Sequence, residues 1–197
     1  MKFFRENSRL ISKIFVNQIG MTIFGVILTT AVMKATENDP TVTLLVSIFS
    51  ILFYLALIYN VMWEEGARDV IRINAGRMEN SVLFPVKAAL FAAVPNLVLA
   101  ALLLVSYLFM YTLGVDFFRA VYGVLHIVLA LFEAMYLGLF KVILDAFPEP
   151  VLQHGMACLL YLLSSLPMIL VSFGAYALGK RNVYLLGKRP SGKGKQD

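Results

Sequence analysis

Residues 14–33, 42–62, 88–113 and 156–178 are four runs of 20 or more largely apolar residues, and a run of that length crosses the roughly 30 Å hydrocarbon core of a bilayer as a helix. Inside hydrocarbon a backbone has to satisfy its own hydrogen bonds, which a helix does and irregular chain does not. The expected fold class is therefore an all-α integral membrane protein, a four-span helical bundle. The stretch that organises it is 63–87, WEEGARDVIRINAGRMENSVLFPVK, with eight charged residues between the second and third runs. It reads as the central polar hinge.

Charged residues make up only 15% of the chain, hydrophobic residues 60%, and the mean hydropathy is +0.80, whereas soluble domains are about a quarter charged. The 197 residues leave room for four to six spans and none for a separate soluble unit, so 1–197 is expected to be a single membrane domain. Cys158 is the one cysteine, which excludes an intrachain disulfide and a multi-thiolate metal site. The net charge of +5 comes from basic residues flanking apolar runs; that pattern orients a membrane protein and does not call for nucleic acid. The leader MKFFRENSRLISK resembles a signal peptide, but the apolar run behind it exceeds the usual 7 to about 15 residues and no A-x-A site follows, so it is expected to be retained. Its apolar residues recur at helical spacing, which fits an amphipathic surface helix; a frayed basic leader is the alternative.

Within the first run Gln18, Thr22, Gly25 and Thr29 share one helical face, and in the second Thr43, Ser47, Ser50 and Tyr54 do the same. Small and hydroxyl residues let membrane helices approach closely and exchange hydrogen bonds worth about 0.6–2 kcal/mol each. Both faces should point at protein, with the two stripes facing each other; a solute path between them is the alternative. Asp39-Pro40 closes the short loop between the runs as a hairpin. In the hinge, pairing of Glu64 with Arg68 and of Asp69 with Arg72 would carry the second helix on to a C-cap at Asn74-Ala75-Gly76. Pro95-Asn96 interrupts the third run and predicts a kink or a local site. In the last run Ser165, Ser172, Tyr176 and Gly179 share a face, and Pro167 predicts a kink.

Segment 116–147 is ambiguous. Arg119, His126 and Glu133 recur every seven residues, with Lys141 close to the same line, as a narrow polar stripe on an apolar helix. Orientation favours a segment that does not cross: fourteen Lys and Arg then share one side with the hinge and both termini, against three on the other. The expectation is an amphipathic interfacial or re-entrant segment between spans 3 and 4, its stripe wetted, with six spans as the rival. The termini and hinge would be cytoplasmic at a plasma membrane, and Arg68, Arg72 and Arg77 would join Lys180 and Arg181 in one basic surface, offset by Glu64, Glu65 and Asp69. The basic tail 180–197 should lie on an anionic inner leaflet.

Candidate chemistry is sparse. Charge at the bilayer centre costs about 2.5–3.5 kcal/mol on insertion scales, so an embedded Glu133 would need a partner or a task. On a straight helix it would lie about 10.5 Å from His126, too far for direct proton exchange. His154 and Cys158 have the spacing of two ligands on one helix face, but two ligands do not make a metal site. No G-x-S-x-G, H-E-x-x-H or Walker loop occurs. No catalytic, cofactor-binding or metal-binding residue is therefore expected. Gly66-Ala-Arg-Asp-Val and Gly179-Lys-Arg-Asn-Val are alike, each followed by a further glycine and basic residue at Gly76-Arg77 or Gly187-Lys188; they read as a duplicated two-span hairpin or as chance recurrence. From Trp63 onward, with a Gly-x-x-Asp loop ending in Gly-Arg and a Gly-x-(Lys/Arg) close after the last run, the chain resembles uncharacterised small multi-pass membrane proteins of Gram-positive bacteria. That resemblance implies a bacterial plasma membrane and no activity. The functional expectation is a non-enzymatic structural or accessory subunit acting by helix association, with itself or with a membrane complex. The alternative is a small transporter or channel component with a polar path lined by spans 1 and 2; an intramembrane enzyme would rest on His126 and Glu133.

Overall fold

The computed structural model describes residues 2–37, 39–77, 79 and 81–183; the expected membrane-surface tail beyond Val183 lies outside them. The order is α1 (Lys2–Ala35), α2 (Pro40–Asn74), α3 (Phe84–Leu113), α4 (Asp116–Phe132), a single 3₁₀ turn (Ala134–Tyr136), α5 (Leu137–Leu144), α6 (Pro150–Leu163) and α7 (Ser165–Lys180). No strand occurs among the described residues. Helices α1, α2, α3 and the α6–α7 pair are long and apolar enough to cross a membrane, and α4–α5 form a bent pair between the third and fourth of these. Large apolar side chains such as Ile27, Leu45, Leu52 and Leu170 stay exposed on the outer surface, as a lipid-facing bundle requires.

Local chemistry sets the helix ends. The Asp39 side chain accepts from the Thr41 N–H at 2.8 Å, and Pro40 opens α2 where a missing N–H does no harm. At the other end of α2, Gly76 takes φ +68°, its N–H reaches the Ile73 carbonyl at 2.9 Å and the Arg77 N–H reaches the Arg72 carbonyl at 2.9 Å, a Schellman termination at the expected glycine. Pro95 does not break α3. In the last span the break falls at Ser164, three residues before Pro167, whose ring removes the N–H that would hold the Leu163 carbonyl.

The leader is helical, not frayed. It continues α1 through a kink at Asn7, with Leu10, Ile11 and Ile14 buried and the Phe3 ring 5.8 Å from Phe84 and 5.6 Å from Phe91. That contact sets the start of α1 beside the start of α3 and the hinge.

The bent pair enters and leaves at one end of the bundle. Asp116 follows α3 after two residues, and the chain leaving α5 returns beside α6, where Gln153 Nε2 donates to the Leu144 carbonyl at 3.4 Å. The start of α6 in turn meets the end of α3, with the Tyr107 hydroxyl 3.2 Å from the Val151 carbonyl. Between those ends the axis turns by 82°, deep in the bundle. The segment has the shape of a re-entrant loop or a broken span, and its bend carries residues 133–138 among α1, α2, α3 and the α6–α7 break.

Helices α2 and α7 run parallel and cross on two glycines. A Cβ on Gly66 would strike the Tyr176 carbonyl, and one on Gly179 the Trp63 carbonyl. Each helix thus presents an aromatic residue followed three positions later by glycine, and each glycine sits on the other helix's aromatic backbone. The aromatic tips repeat the exchange. Tyr176 Oη donates to Asp69 Oδ2 at 2.9 Å, and Trp63 Nε1 to the Val183 carbonyl at 2.6 Å. The two similar sequence stretches thus meet across a pseudo-twofold contact. Overpacking of a tight helix contact costs about 1–3 kcal/mol. Gly66→Ala and Gly179→Ala should each lower thermal stability in detergent by an amount in that range, whereas Gly123→Ala, where no atom lies within 4 Å of the new carbon, should leave it unchanged or raise it.

Candidate functional site

The site is made by two helix breaks meeting inside the bundle. Glu133 ends α4 with φ −104° and ψ 29°, outside the helical region, and its side chain is only 2% exposed. Ser164, at the α6–α7 break, places its Oγ 3.1 Å from Glu133 Oε1 and 2.8 Å from the Tyr161 carbonyl. Asn96, one residue after Pro95, is equally buried and sends Nδ2 to Ser164 Oγ and to Ser165 Oγ, each at 3.3 Å. The Tyr136 hydroxyl donates to the Ser164 carbonyl at 3.2 Å, holding the two breaks together. Glu133, Gln18, Tyr54, Tyr136, Ser164 and Ser165 line a cavity of about 10 Å³, the volume of one water-sized occupant and no more. Three oxygens of this cluster have no partner among the described residues: Glu133 Oε2, Asn96 Oδ1 and Gln18 Oε1.

Both polar faces do point at protein, but at the bent segment and not at each other. Thr22 Oγ1 donates to the Phe132 carbonyl at 2.7 Å, and a Cβ on Gly25 would meet the Met135 nitrogen at 2.8 Å. On α2 the Ser47 Oγ accepts from the Gly138 N–H at 2.7 Å, and Gly138 abuts the Thr43 carbonyl. Gln18 and Tyr54 line the carboxyl cavity, and the buried hydroxyls of Thr29 and Ser50 have no partner among the described residues. The physical reason is the bend itself. It frees backbone groups that a continuous helix would pair, and in an apolar bundle side chains have to meet them.

The heptad stripe does not survive as a unit. Arg119 is exposed and paired with Asp116 at 3.4 Å, Lys141 is exposed, and the His126 ring lies 5.9 Å from Tyr122 and 5.7 Å from Tyr161. Glu133 is buried, not wetted, because the 82° turn takes it off the line of α4. Sequence periodicity also missed Tyr136, Tyr161, Ser164 and Ser165 as its neighbours. The adjacent Pro167 was the available signal for Ser164.

At the end where the bent pair enters, a cleft of about 490 Å³ is lined by Met110, Tyr111, Arg119, Tyr122, His126 and His154 among others, within the range of small-molecule sites. His154 Nδ1 is 2.9 Å from the Tyr111 hydroxyl, while Cys158 is a fully buried free thiol. His126 thus touches the cleft on one side and Tyr161 on the other.

The basic rim lies at the hinge end. Arg68 reaches Glu64 and Glu65 at 3.6 Å each, and Arg72 reaches Glu65 at 3.0 Å and Asp69 at 2.8 Å. These two arginines share a cleft of about 190 Å³ with Arg9 and Lys13 from α1. Lys180 and Arg181 border a different cleft of about 280 Å³ with Val82 and Phe173, the Lys180 Nζ lying 5.4 Å from the Tyr176 ring centre. The rim residues thus border two clefts, and Asp69 between them in the fold is fully buried, engaging Arg72 with one oxygen and Tyr176 with the other. Arg77 follows the helix end and lines neither cleft.

Hydrogen bonds to a charged group are worth about 1.5–3 kcal/mol, so Tyr176→Phe should destabilise the folded protein by about that amount. In an Asp69→Asn background the same substitution should do less. A double-mutant cycle read by unfolding in detergent checks it. Comparison with protein-family models, with curated proteins and with solved structures finds no match.

Proposed function

We propose that this chain is a small, non-enzymatic transport component of a bacterial plasma membrane, in which Glu133 is the working group and the 490 Å³ cleft is the outer approach to it. One observation carries the reading: a buried carboxyl, with no Lys, Arg or His among the described residues that line its cavity, placed where the 82° bend after α4 meets the interruption of the last span at Ser164. A carboxyl at that depth is retained for a task, and paired helix breaks are how transport folds build sites for small ions and solutes. The cleft adds one guanidinium and two imidazoles among aromatic rings, a set suited to a small solute with anionic and apolar parts. The polar faces of α1 and α2 serve in this reading as the frame that holds the bent pair. The excess of basic residues at the hinge end supports a cytoplasmic hinge and termini, against an anionic leaflet.

A second reading is favoured by the cleft where Arg9, Lys13, Arg68 and Arg72 outnumber Glu6 and Glu65. It opens at the hinge end and suits an acidic segment of a membrane-complex partner or a second copy, which would make the chain an accessory subunit. The resemblance to small Gram-positive membrane proteins is compatible with both.

In sealed proteoliposomes, a proton or sodium gradient is expected to dissipate faster through the wild-type protein than through protein-free vesicles, and Glu133→Gln should return the rate to the protein-free value while keeping the protein folded. Equal rates for wild type and Glu133→Gln would remove the transport reading. For orientation, a Cys158→Ser background carrying Arg119→Cys should react with an impermeant maleimide in whole cells, and one carrying Arg68→Cys only after permeabilisation.

A further inference from the structure

Hydrogen counting around Ser164 identifies what the buried carboxyl holds. A serine hydroxyl has one proton to give and two lone pairs with which to accept. Ser164 Oγ has three polar neighbours within hydrogen-bond range: Asn96 Nδ2 at 3.3 Å, the Tyr161 carbonyl at 2.8 Å and Glu133 Oε1 at 3.1 Å. The amide can only donate, and the Tyr161 carbonyl can only accept. The single serine proton is directed to the carbonyl, the shorter contact. The remaining contact, between Ser164 Oγ and Glu133 Oε1, then has no hydrogen unless the carboxyl supplies one.

We infer that Glu133 is a proton-binding site within the bundle, occupied as the neutral carboxylic acid, with its O–H donated to Ser164 Oγ. Each polar contact of Ser164 Oγ then has its one hydrogen. Asn96 gives its two N–H groups to Ser164 and Ser165, Glu133 gives its proton to Ser164, and Ser164 gives its own to Tyr161. Glu133 Oε2 becomes the carbonyl oxygen of an acid, which tolerates the absence of a donor far better than the oxygen of an anion.

The surroundings agree from every element packed on the cavity. Helix α1 contributes Gln18, α2 contributes Tyr54, α3 Ala93, the 3₁₀ turn Met135 and Tyr136, and α7 Ser165 and Met168; Tyr161 of α6 lies beside the Ser164 it holds. The titratable groups there are tyrosines, and no Lys, Arg, His or second carboxylate lines the cavity. A metal cation would need several oxygens turned onto one point, and with Ser164 and Ser165 already accepting from Asn96 it would have to draw on Glu133 Oε2, Asn96 Oδ1 and Gln18 Oε1; exchange of sodium for potassium separates that occupant from the proton. Loss of the proton would leave an anion whose nearest available donor is the Ser164 hydroxyl. Turning that hydroxyl from Tyr161 to Glu133 would loosen the α6–α7 break. Proton release and movement at the break are coupled through one serine.

This rests on Glu133 being the working group of the proposed function, but its test does not depend on transport. Infrared spectroscopy of the purified protein in lipid nanodiscs at neutral pH should show the carbonyl stretch of a buried carboxylic acid, shifted in deuterium oxide and missing from Glu133→Gln. Ser164→Ala should move the band to the frequency of a more weakly hydrogen-bonded acid. The band should not change when sodium replaces potassium at fixed ionic strength. If Glu133→Gln fails to fold, Ser164→Ala and the sodium exchange carry the test on the wild-type carboxyl. A carboxylate signature at neutral pH, or loss of the acid band on sodium addition, overturns the inference even if ion flux is measured. An acid band without any flux upholds it and removes the transport reading instead.

Discussion

A helix that bends inside an apolar bundle leaves backbone groups that have no water to turn to, and most of the specific chemistry of this protein answers that constraint. Breaking the chain at Glu133 frees the carbonyl of Phe132 and the amide of Gly138. Thr22 takes the first and Ser47 the second. Each unsatisfied group would cost several kcal/mol in hydrocarbon, more than any one packing contact returns. The two polar faces on α1 and α2 are therefore receptors for the bent backbone. Gly25 and Gly138 complete the fit, since a methyl group at either would collide with the opposing main chain.

The α2–α7 crossing supplies the rigidity against which the bend is held. Two glycines bring two backbones into contact, and the aromatic residue three positions before each glycine reaches across to a polar group, Tyr176 to Asp69 on α2 and Trp63 to the Val183 carbonyl just past the end of α7. Asp69 ends this seam at the hinge, fully buried yet satisfied on both oxygens. A buried charge so paired adds little net stability, but breaking the pair is strongly unfavourable. It fixes the register of the two helices more than it strengthens their association.

How far the sequence was legible follows from the range of the interactions. The four apolar runs, the hinge pairs Glu64–Arg68 and Asp69–Arg72, the glycine termination at Gly76 and the inward faces of α1 and α2 depend on spacing within one helix, and spacing is written in the sequence. What faced those stripes was not legible, because Thr22 meets a residue 110 positions away and Ser47 one 91 away. Periodicity misplaced Glu133 for a related reason. It assumes a straight helix, and the 82° turn at that residue removes the assumption at the one position where it mattered. At the hinge, charge counting had no means of seeing that Asp69 turns inward to meet Tyr176, 107 positions away.

Carboxyl and break belong together for a reason that reaches beyond packing. An acid buried on an unbroken helix could change its protonation only by bringing water in, since no flexible donor would be near. Here the group closest to Glu133 is the hydroxyl of the residue at which α6 gives way to α7, and that hydroxyl has two acceptors for one proton. Two hydrogen-bond arrangements are thus available to the same heavy atoms, one for the acid and one for the anion. They differ in whether Tyr161 and Ser164 are tied across the break. The enclosed cavity is too small for a solute, at about 10 Å³, and the cleft that could admit one lies on the far side of His126 and Tyr161. Any coupling between cleft and carboxyl therefore has to pass through the rings between them. Tyr161 is the residue on which it would converge, packed against His126 by its ring and bonded to Ser164 by its carbonyl.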